Sequence, residues 1–75
     1  MRGGRMKKIR LCLQEILDER HITQKELSEL TRIYPATLNK MCRNEGTGIN
    51  KAHLAKVAQA LDINDISKLI IIENS

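Results

Sequence analysis

Two helix-start signals, at Thr23 and at Pro35, constrain this chain more than anything else in it. Thr23-Gln24-Lys25-Glu26 has the S/T-x-x-E form of a capping box, in which hydroxyl and carboxylate each accept from the other residue's amide. Ile22 and Leu27 fall at the two positions of a hydrophobic staple around it. A helix is therefore predicted from Gln24 to about Thr31, burying Leu27 and Leu30. Pro35 gives the second start, because a first helical residue has no use for its N–H. From there Leu38, Met41 and Cys42 share an inward face, and Pro35, Ala36, Asn39, Lys40 and Arg43 are left outward. Only Arg32-Ile33-Tyr34 joins the two helices. Neither is long enough to be stable alone, so neighbours must cover their apolar faces.

Those neighbours are legible by period. Ile9, Cys12, Leu13, Ile16 and Leu17 follow helical spacing, which predicts a first helix over about Cys12 to Arg20. The stretch Lys7–Leu11 also alternates with period two and reads equally as a strand. Asn50 is a suitable N-cap for a fourth helix that buries Leu54, Val57, Ala58 and Leu61. Asn44–Gly48 is loop by composition. Asp62–Asp65 is a turn, and a fifth short helix is predicted over about Asp65 to Leu69. The β-branched run Ile70-Ile71-Ile72 reads as a strand, whose natural mate is Lys8–Leu11.

Composition narrows the chemistry. The chain has 75 residues and a single aromatic, Tyr34, so the core must be aliphatic, and small packed helices suit it better than a sandwich or barrel. A domain this small hides only about 60% of its unfolded surface and has little room for a substrate cavity. No carboxylate pair, Cys–His pair or glycine-rich phosphate loop stands at useful spacing, so an enzyme is not expected. Cys12 and Cys42 read as reduced, partly buried thiols, and His21 and His53 fall at no metal-ligand spacing. No cofactor and no small-molecule substrate is expected. No apolar run approaches the roughly 20 residues of a membrane span, and no signal-peptide pattern opens the chain, so a cytoplasmic location is expected.

Charge supplies the partner. The 13 basic residues exceed the 9 acidic ones by four. Residues 1–10 hold five basic groups and no acid, and residues 33–57 hold four basic groups and one acid. A field concentrated in this way suits a polyanion. Two short helices joined by a three-residue turn, the second inside a basic segment, form a helix-turn-helix, whose second helix can enter the major groove.

From Ile22 to Ile70 the sequence resembles the lambda-repressor-like, or Cro/repressor-type, helix-turn-helix domain. The resemblance covers about Leu11 to Leu69. It is carried by Thr23-Gln24-x-Glu26-Leu27, by Ala36-Thr37-Leu38, and by Leu54-x-x-Val57-Ala58-x-Ala60-Leu61 followed by Ile63. It implies an all-α, compact five-helix bundle with the helix-turn-helix at helices two and three, here with a small two-stranded ribbon joining the termini. The whole of residues 1–75 reads as one domain, with residues 1–8 as a basic arm and residues 23–43 as the helix-turn-helix. Two departures stand out. The family often has glycine where this chain has Arg32, so Arg32 must take a left-handed conformation at a cost of about 1 kcal/mol, or the turn is built differently. It prefers Ser or Thr where Tyr34 stands, and tyrosine cannot cap.

The resemblance also implies site residues. Gln24 matches a phosphate anchor at the start of the second helix. Pro35 and Ala36 stand where bases are touched and offer apolar contact, as with a thymine methyl. Thr37 can donate to a base or phosphate. Asn39 can pair bidentately with adenine, and Lys40 can reach guanine O6 and N7. Arg43, the amides of Gly46-Thr47-Gly48, and Lys51 suit phosphate. On residue type alone Asn39 and Lys40 also read as solvent-facing helix residues, and Tyr34 reads as either a packing residue or a phosphate contact. Thr23 is structural. The basic arm is tail, or a clamp on the backbone or minor groove. The expected function is a sequence-specific DNA-binding regulator, a repressor, working as a homodimer on double-stranded DNA. Its self-association surface is either Ile70–Ile72 or the helix-four to helix-five face. An antitoxin-like or anti-repressor interaction module is the alternative.

Overall fold

The computed structural model describes residues 7–46 and 48–74, in the order β1 (Lys7–Leu11), α1 (Leu13–Arg20), α2 (Gln24–Thr31), α3 (Pro35–Cys42), α4 (Lys51–Ala60), one 3-10 turn (Ile66–Lys68) and β2 (Ile70–Asn74). The capping box forms as its spacing requires. Glu26 donates its amide to Thr23 Oγ1 at 3.0 Å, and Thr23 donates its amide to Glu26 Oε1 at 2.9 Å. Arg32 closes α2 in the left-handed region, at φ 61°. Ser28 Oγ steadies that turn by donating to the Ile33 carbonyl at 2.6 Å. Left-handed residues follow the other helices as well, at His21, Asn44 and Asp62. Those three side-chain types tolerate the conformation, whereas arginine is poorly suited to it.

The core is aliphatic. Leu13, Leu17, Leu27, Leu38, Val57 and Leu69 are essentially sealed from solvent, one or two from each helix and one from the approach to β2. Burying such a side chain is worth about 1.5–3 kcal/mol, which fixes the otherwise unstable α2 and α3 in place. Leu30 departs from expectation: it is 63% exposed, and Thr31 takes the inward position instead. Thr31 can do so because its hydroxyl donates to the Leu27 carbonyl at 2.7 Å and accepts from the Ile33 amide at 3.3 Å. Among the described residues no buried side-chain polar atom lacks a partner.

The fifth helix is not there: the described residues hold four α-helices, and the predicted segment is one 3-10 turn. Asp65 Oδ1 accepts from both the amide and the hydroxyl of Ser67, at 3.0 and 2.7 Å, local bonds that compete with an α-helical ladder. The hydroxyl bond also holds the Asp65 carboxyl below its ordinary range. Cys12 then donates its amide to the Leu69 carbonyl at 2.7 Å and draws the chain into a strand. The ribbon itself forms. β1 and β2 pair antiparallel with Ile9 opposite Ile72 and Leu11 opposite Ile70. Lys7 and Lys8, read both as the end of a basic arm and as possible strand, are strand residues, while Arg2 and Arg5 lie outside the described residues. Helix three ends one residue earlier than expected, with Arg43 as its cap.

Candidate nucleic-acid interface

The outer face of α3 is what the burial of its inner face leaves. Leu38 and Cys42 are buried, so Asn39, Lys40 and Arg43 face solvent, and Thr37 and Met41 sit at the margins. Burial also pushes the Cys42 thiol up from its ordinary value, which keeps it protonated. At the head of the helix Pro35 and Ala36 are exposed, and Tyr34 is 81% exposed and makes no side-chain cap. The packing role open to Tyr34 is thus not taken up. Its ring and hydroxyl, with the two apolar residues behind it, form a bare tip.

Three helices are linked through side-chain amides behind this tip. Asn39 Nδ2 donates to Gln24 Oε1 at 3.3 Å, Gln24 Nε2 donates to Gln14 Oε1 at 2.9 Å, and Gln14 Nε2 donates to Asp18 Oδ1 at 2.8 Å. Asn39 spends one N–H in this chain and keeps its oxygen and second N–H, the pair that a bidentate contact with adenine uses. Gln24 likewise keeps one N–H for an anion, beside the first turn of α2, where the helix dipole favours negative charge. The structure thus joins the expected phosphate anchor to the expected base reader.

The cations are arranged less simply. Arg10 is taken up: Nη1 donates to Glu15 Oε2 at 2.6 Å and Nε to Glu73 Oε2 at 2.9 Å. Its hydrogen bond holds the Glu15 carboxyl below the usual carboxylate range. Arg43 pairs with Glu45 at 3.1 Å, an exposed contact of small energy. Lys8 and Lys40, by contrast, line one open groove together with Thr37, between the ribbon, the end of α3 and the start of α4. Lys51 begins α4, behind the Asn50 cap that accepts from the His53 amide at 3.1 Å. Of the loop expected to offer amides, Gly46 and Gly48 are exposed at the rim of the groove, and Thr47 lies outside the described residues.

Asn44 was not legible as part of this surface. It follows α3 at φ 56°, and its side chain pairs with the backbone of β1. Leu11 donates its amide to Asn44 Oδ1 at 2.7 Å, and Asn44 Nδ2 donates to the Leu11 carbonyl at 3.1 Å. The side chain thus does for Leu11 what a third strand would, and it ties the end of α3 to the ribbon. A lone asparagine in a loop signals a left-handed turn but not a partner 33 residues away.

Among the described residues no group of His, Cys, Asp and Glu could hold a metal ion, and no helix is long and apolar enough to cross a membrane. A family model described as the Cro/C1-type HTH DNA-binding domain matches residues 12–75. No curated protein and no solved structure matches the chain.

Proposed function

The chain belongs to the Cro/C1-type helix-turn-helix DNA-binding family, which makes it a DNA-binding transcription regulator, and we propose that it is a repressor acting as a homodimer on a two-fold operator. In this reading α3 lies in the major groove of double-stranded DNA. Tyr34, Pro35 and Ala36 meet it first, Thr37 reaches a base or phosphate, Asn39 reads adenine and Lys40 reads guanine. Gln24, Arg43, Lys51 and the amides around Thr47 hold phosphates and set the register. Repression asks only that the site be occupied, whereas activation needs a second surface for the transcription machinery. The observation that supports the reading is the hydrogen bond from Asn39 Nδ2 to Gln24 Oε1, which joins the residue proposed to read a base to the one proposed to hold a phosphate.

With about six phosphate contacts per domain, raising salt from 50 to 200 mM lowers affinity by on the order of a thousandfold. The deciding experiment selects bound DNA from a random pool and then tests Asn39→Ala and Lys40→Ala on the selected site. Each is expected to relax preference at one base pair. Parent-like binding by both variants would overturn the assignment. The exposed apolar tip Tyr34-Pro35-Ala36 favours one second reading, an antitoxin-like or anti-repressor module that docks a protein through α3. A tight protein partner combined with an empty DNA selection would mark that case.

A further inference from the structure

The outer face of α3 changes its chemistry along its length. Toward the C-terminal end stand Asn39, Lys40 and Arg43, all polar and all exposed. At the other end three consecutive residues are exposed, Tyr34, Pro35 and Ala36, and neither Pro35 nor Ala36 has a polar side-chain atom. This tip is held firmly. Ile33 before it and Leu38 after it are buried, the Tyr34 carbonyl accepts from the Leu38 amide at 3.1 Å, and the Pro35 ring fixes its own φ. Ala36 precedes Asn39 and Lys40 by three and four residues and so shares their face of the helix. One helical turn, about 5.4 Å, spans fewer than two base pairs at about 3.4 Å each. A base pair met by the tip is therefore a close neighbour of those met by Asn39 and Lys40.

A surface without side-chain donors or acceptors cannot tell bases apart by hydrogen bonds. Among the groups on the major-groove edge only one is apolar, the methyl at C5 of thymine. Thymine is not its sole carrier, because a cytosine methylated at C5 presents the same group at the same place. We propose that the Tyr34-Pro35-Ala36 tip reads the C5 methyl group rather than the base, so that 5-methylcytosine serves in place of thymine and cytosine methylation of the operator tightens binding. This rests on the major-groove reading proposed above and adds to it a response to the chemical state of the DNA. Asn39 and Lys40 cannot supply that response, because adenine and guanine, their partners in that reading, carry no such methyl. The rigidity of the tip is what makes one methyl group count: a mobile apolar loop would settle against any base edge, whereas a fixed one leaves a gap where the methyl is missing.

The test changes the DNA one methyl at a time and leaves the protein whole. In the site selected from a random pool, each thymine in turn is replaced by deoxyuridine, which lacks only the methyl. Affinity should fall about fourfold at one position per half-site, the worth of one buried methyl group. That position should lie within about two base pairs of those relaxed by Asn39→Ala or Lys40→Ala. There 5-methylcytosine should bind more tightly than cytosine by a similar factor. A site in which no deoxyuridine weakens binding, or every one does so alike, overturns the inference and leaves the DNA reading standing. Loss with deoxyuridine but no gain from 5-methylcytosine over cytosine overturns the response to methylation. A selection that recovers no DNA overturns the reading itself, and the inference with it. Tyr34→Ala and Ala36→Gly, each checked for folding by circular dichroism, then assign the contact. The ratio of thymine to deoxyuridine affinity should move toward one in at least one of them. An unchanged ratio in both overturns the tip and gives the methyl to another side chain.

Discussion

The helix-turn-helix and the ribbon are held together by bonds of very different reach. In α2 and its turn, the bonds that define the geometry join residues three to five apart: Thr23 with Glu26, Thr31 with Leu27, Ser28 with Ile33. In the ribbon they span 63 residues from Arg10 to Glu73 and 33 from Leu11 to Asn44. Local bonds form as soon as the chain turns. Long ones form only after a large loop closes, and they then report on the whole fold. The α3 helix therefore has two supports, an aliphatic core beneath it and a polar clasp at its end.

The core support is the stronger and the first to break. Leu38→Ala opens a cavity under the middle of α3 and should cost about 3 kcal/mol. For 75 residues, total stability is on the order of 4–11 kcal/mol, so chemical denaturation should show a large fall in midpoint. DNA binding should fall with it at temperatures where the variant begins to unfold.

Next comes the clasp. Asn44→Ala removes both bonds to Leu11 and places alanine at positive φ, for an expected loss of about 2 kcal/mol. Asn44→Gly keeps the backbone conformation and loses only the bonds, so the difference between the two isolates the turn. Hydrogen exchange at the Leu11 amide should speed up in both. Unchanged exchange would mean that the ribbon is held without Asn44.

Asn39→Ala separates reading from folding. Its side chain is exposed, so the melt should move little, whereas affinity for the selected site should drop by about 1–3 kcal/mol, most of it at one base pair. A uniform loss over all DNA would instead place Asn39 on the backbone.

Arg32→Gly goes the other way. Arginine at φ 61° is strained where glycine is not, so the variant should gain up to about 1 kcal/mol, or roughly 4–8 °C in melting temperature. No gain would mean that the Arg32 side chain offsets the strain.

How much of this was legible follows from the same contrast. Thr23, Glu26 and Pro35 announced α2 and α3 because their chemistry acts within one turn. Leu30 misled, since helical spacing cannot tell which of two adjacent positions a third helix will cover, and Thr31 could be buried only through bonds invisible in the sequence. The fifth helix failed because Asp65 and Ser67 form a tighter local pattern and β1 claims Leu69. The alternation of residues 7–11 and the β-branched run after Leu69 were enough to expect the ribbon, but not its register or the cap by Asn44. In the candidate site, residue types on the outer face of α3 could be read directly, whereas the Asn39–Gln24–Gln14 chain required knowing how three helices meet.

The smallest effect tests whether charge contributes to the clasp. Glu15, in the first turn of α1, accepts from Arg10, and that bond lowers its carboxyl from the ordinary 4.5 in the folded state. A group whose folded pKa is depressed stabilises above its unfolded value, and that contribution fades as pH falls through the folded one. Glu15 is exposed and Arg10 partly so, and solvent screens most of the interaction. Glu15→Gln should therefore lower the neutral-pH melt by only ~2 °C. The gap to the parent should close once the pH is well below 4.5, and it should narrow at neutral pH in high salt. A gap that persists in acid would assign the loss to packing or the helix start rather than to the Arg10 pair. The Asn44 bonds would then be left as the principal tie between the ribbon and α3.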